Sequence, residues 1–146
     1  MKSLDLFKHK TAVGLRYADL DTYGHVNNKH YLGFLEEARI KYYRDVMGME
    51  ANVMDFGAVV ARVEINYLAP IQYEDNIEVW SRCSKIGNKS YDIEAVILRN
   101  EKDKFVPVAE AVVTLVSYNL KTGKAVSNPE KAILAIKKFE GEDLFA

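Results

Sequence analysis

One apolar stripe constrains this chain more than any other feature. Tyr31, Phe34, Leu35, Ala38, Tyr42 and Val46 recur at three- and four-residue intervals, the period of one face of an α-helix. Glu36, Glu37, Lys41 and Arg44 fall on the opposite face. Asn27 or Asn28 supplies an N-cap, because a short amide side chain accepts from an orphan backbone N–H. Gly48 is a natural stop. These signals predict a helix of about 18–20 residues, roughly 27–30 Å long.

Around that helix the chain alternates in the manner of strands. A first strand is expected from His9 to Tyr17, with Ala12, Val13 and Leu15 among polar neighbours. After the helix, "GAVVARVEINYL" puts Val59, Ala61, Val63, Ile65 and Tyr67 on one side and Arg62, Glu64 and Asn66 on the other. "NIEVWSRCSKI" sets Ile77, Val79, Ser81 and Cys83 opposite Glu78, Trp80 and Arg82. "GNK" turns into "SYDIEAVILRN", and "NEKDK" turns into "FVPVAEAVVTLVSYNL". A short last helix follows in "SNPEKAILAIKKF", with Asn128 as its cap and Pro129 at its first position.

Strands of ten or more residues reach roughly 33 Å, the length of the helix. A long antiparallel sheet can therefore curl and lay its apolar face along one long helix, an α+β arrangement in a single domain, residues 1–146. One helix covers only part of a face of five strands, and the sheet keeps open edges. Both features imply a second subunit.

Composition excludes several functions. A net charge of −1 suggests neither a nucleic-acid partner nor an anionic membrane surface. The one cysteine, Cys83, can form no internal disulfide and fits a reducing compartment. "MKSLDLFKHKTAVGL" is interrupted by Asp5, Lys8, His9 and Lys10, so it does not read as a signal peptide. A cytoplasmic protein is expected. No Walker loop, G-x-G-x-x-G or G-x-S-x-G occurs. One cysteine and three histidines make a structural zinc site improbable, and no cofactor is expected.

What remains is chemistry by carboxylate, imidazole and backbone, and "RYADLDTYGHVNNKHY" concentrates those groups just before the helix. A helix N-terminus presents unpaired N–H groups and partial positive charge. It can polarise a carbonyl oxygen that becomes an oxyanion during acyl transfer. A carboxylate in the same loop can attack the carbonyl carbon or deprotonate a water beside it. Asp19 and Asp21 are two residues apart and share a side if the segment is extended, so spacing does not choose between them. By default such aspartates are turn and cap residues. His30 reads as a solvent-facing helix residue, and Cys83 as a strand filler.

"DLDTYGHVNNKHYLGFLEEAR" resembles the signature of the hotdog-fold thioesterases, of the 4-hydroxybenzoyl-CoA and acyl-CoA thioesterase type. It is also similar to the plant-type acyl-ACP thioesterases, in which a D-x-x-x-H-V-N-N segment recurs. "NYLAPIQYEDNIEV" and "GNKSYDIEAVI" extend the resemblance over nearly the whole chain. It implies a long central helix wrapped by a curved antiparallel five-stranded sheet. It also implies a homodimer, possible pairing of dimers, and hydrolysis of an acyl-CoA or acyl-ACP thioester without cofactor or metal. By position, Asp21 matches the family's nucleophile or general base. Gly24 and the helix N-terminus match the segment whose N–H groups polarise the thioester, and His25 matches the histidine of the acyl-ACP branch. Tyr17 matches a tyrosine of the branch encoded beside cell-envelope Tol genes. Asn28 stands where that branch has histidine, a departure from its pattern. Lys89 and Ser90 resemble hairpin residues that meet the CoA moiety, serving the opposite subunit's site. Two other readings compete: a non-catalytic acyl-CoA-binding or regulatory hotdog protein, and a hotdog hydratase. The hydratase's H-x-x-x-x-x-G-x-P pattern does not occur here.

Overall fold

Period-2 and period-3.6 segments fold as their patterns require. The computed structural model describes residues 3–48 and 57–142. Strand β1 (His9–Val13) leads through a 3₁₀ turn (Tyr17–Asp19) and a second (Asn28–His30) into helix α1 (Tyr31–Met47). Strands β2 (Ala58–Tyr67), β3 (Asn76–Ile86), β4 (Ser90–Glu101) and β5 (Lys104–Asn119) follow. A two-residue strand β6 (Lys124–Ala125) and helix α2 (Glu130–Glu140) complete the order. The sheet is antiparallel, in the order β1-β3-β4-β5-β2, with β6 attached to β5.

The expected stripe is the buried face of α1: Tyr31, Phe34, Leu35, Ala38 and Tyr42 all lie in the core, while Glu36, Glu37, Lys41 and Arg44 are exposed. Gly48 ends the helix in the left-handed region, φ 64°, and its N–H donates to the Tyr43 carbonyl. The core fills the concave side of the sheet with Ile77, Val79, Ile93, Ile97, Val113 and Leu115. Polar ties cross it as well. The Tyr42 hydroxyl donates to Glu140 Oε1 at 3.0 Å, and the Tyr43 and Tyr91 hydroxyls lie 2.7 Å apart.

Three expectations are corrected, and one feature is new. The first strand stops at Val13, because Arg16 and Asp19 bond reciprocally and pull the chain into a 3₁₀ turn. A β-bulge between Val60 and Arg62 re-phases β2. Val60 therefore pairs with buried Leu115 on the concave face, and Val59 turns to the convex side. Asn128 does not cap α2: no side-chain cap bond is present there, and its amide is used elsewhere. The convex face also carries its own apolar cluster, in which Phe7, Leu4 and Leu6 cover Trp80, Val96 and Leu98.

Among the described residues helix α1 packs chiefly on β1, β3 and α2, and β2 is the least covered of strands β1 to β5. Every residue of β2 from Val59 to Glu64 is exposed, Val60 and Val63 among them. No helix among the described residues is long and apolar enough to cross a membrane.

Candidate active site

Two aspartates that spacing could not separate have opposite surroundings. Asp19 is 2% exposed. Its carboxylate accepts the Arg16 N–H at 2.9 Å, Nε at 3.2 Å and Nη2 at 2.8 Å, and His30 Nδ1 lies 3.5 Å away. Burial pushes this carboxyl up, but the Arg16 bonds and the nearby charges outweigh burial and hold it below its usual range. The Asp19 carbonyl accepts the Asn27 N–H at 2.8 Å. Asp19 is thus a clamp joining the first turn to the start of the second. His30 is half-buried against it rather than facing solvent.

Asp21 begins a tight loop closed by bridges from Leu20 to Val26 and from His25 to Gln72. Its N–H donates to the His25 carbonyl at 2.7 Å. One carboxylate oxygen, Oδ1, accepts the N–H groups of Tyr23 (2.8 Å) and His25 (3.2 Å), the Asx arrangement that aspartate favours in turns. The other oxygen, Oδ2, accepts no hydrogen bond among the described residues. The side chain is held in place by one oxygen and half-buried, with the second oxygen unengaged. Gly24 sits at φ 79°, a backbone conformation that glycine adopts without a Cβ penalty. Its N–H is spent on the Asp21 carbonyl at 3.1 Å, so its part in this geometry is to make the turn.

The amides that follow are almost all engaged. Val26 N–H donates to the Ile71 carbonyl, Asn27 N–H to that of Asp19, and His30 N–H to that of Asn27. The Asn27 side chain accepts the Lys29 N–H, capping the 3₁₀ turn that opens the helix. Tyr31 N–H donates to the Asn28 carbonyl. Between Tyr23 and Tyr31, the Asn28 N–H alone finds no acceptor among the described residues. It stands at the positive end of α1, seven residues after Asp21.

The other expected site residues take varied places. His25 is half-buried beside Asp21, held through its backbone. Tyr17 is 78% exposed, its ring edge-on to Tyr73 with centroids 6.0 Å apart. Sequence reasoning missed Tyr67, which reaches the head of α1 from β2. Its ring meets Tyr31 at 4.9 Å and its hydroxyl lies 3.5 Å from the Asn28 carbonyl. Its inward place in the β2 alternation was the available signal. Lys89 and Ser90 occupy the β3–β4 hairpin, at the far end of β3 from the loop that bridges His25. Eleven residues at about 3.3 Å each put roughly 33–36 Å between those ends. Lys89 therefore does not meet Asp21 of its own chain. Cys83 is fully buried, and burial pushes its thiol up to about 12, which keeps it protonated and inert.

The family model described as the thioesterase-like superfamily matches residues 15–136. The long-chain acyl-CoA thioesterase FadM of Escherichia coli strain K12 is 35% identical over 121 residues, which are 81% of this chain and 89% of that protein. A thioesterase from Thermus thermophilus, crystallised with coenzyme A and Zn, superposes with a TM-score of 0.82 at 31% identity. The match covers 94% of this chain and 98% of that one. A mutant 4-hydroxybenzoyl-CoA thioesterase complexed with 4-hydroxybenzoyl-CoA shares the fold, with a TM-score of 0.79 at 16% identity over 87% of this chain and 96% of that one. Among the described residues, no three His, Cys, Asp or Glu side chains lie together as a metal-ligand set.

Proposed function

The chain belongs to the thioesterase-like superfamily, has the hotdog fold and is an acyl-CoA thioesterase; from that premise we propose that Asp21 and the Asn28 amide perform the hydrolysis. Two observations support this reading: an anchored carboxylate with one oxygen unengaged, and, seven residues later where the chain enters α1, an N–H with no acceptor among the described residues.

The thioester oxygen accepts from the Asn28 N–H, where the helix end favours the charge that develops on it. Asp21 Oδ2 meets the carbonyl carbon, either adding to it directly or taking a proton from a water that adds to it. In both routes the carbon–sulfur bond breaks and the thiolate leaves and takes up a proton. After direct attack the acyl group is held on Asp21 as a mixed anhydride, which water cleaves to the free acid and the restored carboxylate; in the general-base route the oxygen of the water enters the acid at once. Thiolate is a good leaving group, so the site needs no strong acid beside the sulfur. Asp19 takes no part in the reaction, because its oxygens are committed to Arg16. His25 and Tyr17 border the loop and orient the substrate.

The site is completed by a second copy. The Tyr67 end of β2 lies against the head of α1, and the Ala58 end lies beside Ser117 and the β3–β4 hairpin. A two-fold pairing of β2 edges is antiparallel. It sets the Ala58 end of one subunit against the Tyr67 end of the other. The hairpin with Lys89 and Ser90 then stands beside Asp21 of the partner subunit, ready for the phosphates of the CoA moiety. Pairing also covers exposed Val60, Val63 and Tyr67.

FadM's name makes a long-chain acyl-CoA the first substrate to test. Thiol release by the purified protein should be measured across short, long, branched and aromatic acyl-CoAs, with binding followed in parallel. Turnover of at least one class is expected. Binding throughout with no thiol released from any of them would identify a sensor and refute the proposal.

A further inference from the structure

We propose that Asn128 is a positioning residue for substrate binding: it holds the β3–β4 hairpin so that its outer side offers only hydrogen-bond donors and positive charge to the phosphates of the CoA moiety. This rests on the reading above, in which the hairpin serves the partner subunit's site.

Asn128 is 9% exposed, and its bonding capacity is spent on the hairpin and its support. Nδ2 donates to the carbonyls of Gly87 (2.8 Å) and Ser90 (2.9 Å), while Oδ1 accepts the Ser117 hydroxyl at 2.7 Å. Its backbone N–H donates to the Asn88 carbonyl at 2.8 Å. The Ser117 N–H takes the Lys89 carbonyl at 2.8 Å, and the Gly87 N–H also donates to Ser90. All four consecutive carbonyls, from Gly87 to Ser90, are thus drawn inward, three of them by Asn128.

The consequence appears on the outer side. The N–H groups of Asn88 and Lys89 find no acceptor among the described residues, and the Lys89 side chain is exposed. Successive unspent amides with an ammonium group beside them favour an anion. Inward carbonyls are half of that arrangement, because an outward carbonyl dipole would repel phosphate. Removing the Asn128 amide frees the Gly87 carbonyl to turn and takes one of its two donors from Ser90, which keeps only the Gly87 N–H. Asn128 therefore acts on the phosphates without touching them. A side chain that served only α2 would be bonded to the helix start, and this one is not.

The test compares two thioesters of the same acyl group, one on CoA and one on N-acetylcysteamine, which lacks phosphates. Asn128→Ala should raise KM for the CoA thioester about tenfold with kcat within about twofold, the cost of roughly one charge-assisted bond. It should leave kcat/KM for the short thioester within about twofold. Asn128→Asp keeps an acceptor for Ser117 but loses both donors, so it should raise KM like the alanine variant. Ser117→Ala removes one support and should give a smaller rise, about threefold; it also serves if the Asn128 variants do not fold. Equal losses on both thioesters would make Asn128 a general brace and overturn the inference, as would unchanged KM on CoA. Lys89→Ala separates the two readings. If it leaves KM for the CoA thioester unchanged, the hairpin does not meet CoA, and the placement of the partner's hairpin fails together with this inference.

Discussion

Val63→Lys tests the subunit pairing on which the completed site depends. Val63 faces inward on β2, opposite buried Val113, yet it is 39% exposed. The substitution therefore takes little from the core of the single chain. Full burial of a valine is worth about 1.5 kcal/mol, so covering the exposed part contributes about 0.6 kcal/mol in each subunit. A lysine there places an ammonium group in the seam, at about 2–3 kcal/mol once partial solvation is allowed for. The two-fold axis doubles both effects and sets the charges near one another. Dimer affinity should fall by roughly 10⁴-fold, with circular dichroism unchanged. Sedimentation equilibrium measures the affinity, and turnover measured against protein concentration shows whether activity follows the dimer. A variant that stays dimeric at nanomolar concentration, or a monomer with full kcat, would refute the pairing through β2.

Two further substitutions examine the titratable groups around the helices. Asp19→Asn places an amide N–H₂ against the Arg16 donors and loses the buried carboxylate's hold on the Arg16 amide, at about 2 kcal/mol. Tm should fall by roughly 4–8 °C, while turnover well below Tm stays within about tenfold; a hundredfold loss of turnover with unchanged Tm would make Asp19 the reacting carboxylate. Glu140 is 1% exposed at the end of α2, and burial raises its carboxyl above the ordinary value although the Tyr42 hydroxyl, the Cys83 backbone and the Lys8 and Arg82 charges pull it down. A raised carboxyl favours the protonated fold, so its stabilising share is complete below the unfolded value and is lost as pH rises through the folded one. Glu140→Gln keeps an oxygen for Tyr42, and its Tm should gain on the native protein as pH rises above the ordinary glutamate range; parallel Tm curves would count against a buried ionising group.

What the sequence made legible follows from the range of each interaction. The α1 stripe, the Gly48 stop and the strand lengths depend on neighbours along the chain, and the structure has them within a few residues of expectation. The β2 bulge was not legible, because an extra residue between Val60 and Arg62 leaves the alternating pattern looking continuous. Asp19 and Asp21 were indistinguishable by spacing. What separates them is Arg16 and His30 around Asp19 and the Tyr23 and His25 amides around Asp21, near neighbours whose choice of partner depends on turn geometry that residue spacing does not reveal. Asn128 had the local features of a helix cap, yet carbonyls about forty positions away along the chain claimed its amide. Trp80 alternated as if toward solvent, and only the N-terminal segment folded across the convex face explains why it is buried.

The central claim is that one oxygen of Asp21 reacts at a carbon polarised by the Asn28 amide, and single-turnover hydrolysis of a good acyl-CoA by Asp21→Asn tests it most directly. The asparagine oxygen still accepts from Tyr23 and His25, so the loop and the dimer should persist while the unengaged carboxylate oxygen is replaced by N–H₂. The expected result is a fall in the rate by at least about 10²–10³, the scale of losing a group that acts only in the transition state, with substrate still bound. A variant that releases thiol at close to the native rate would contradict the account.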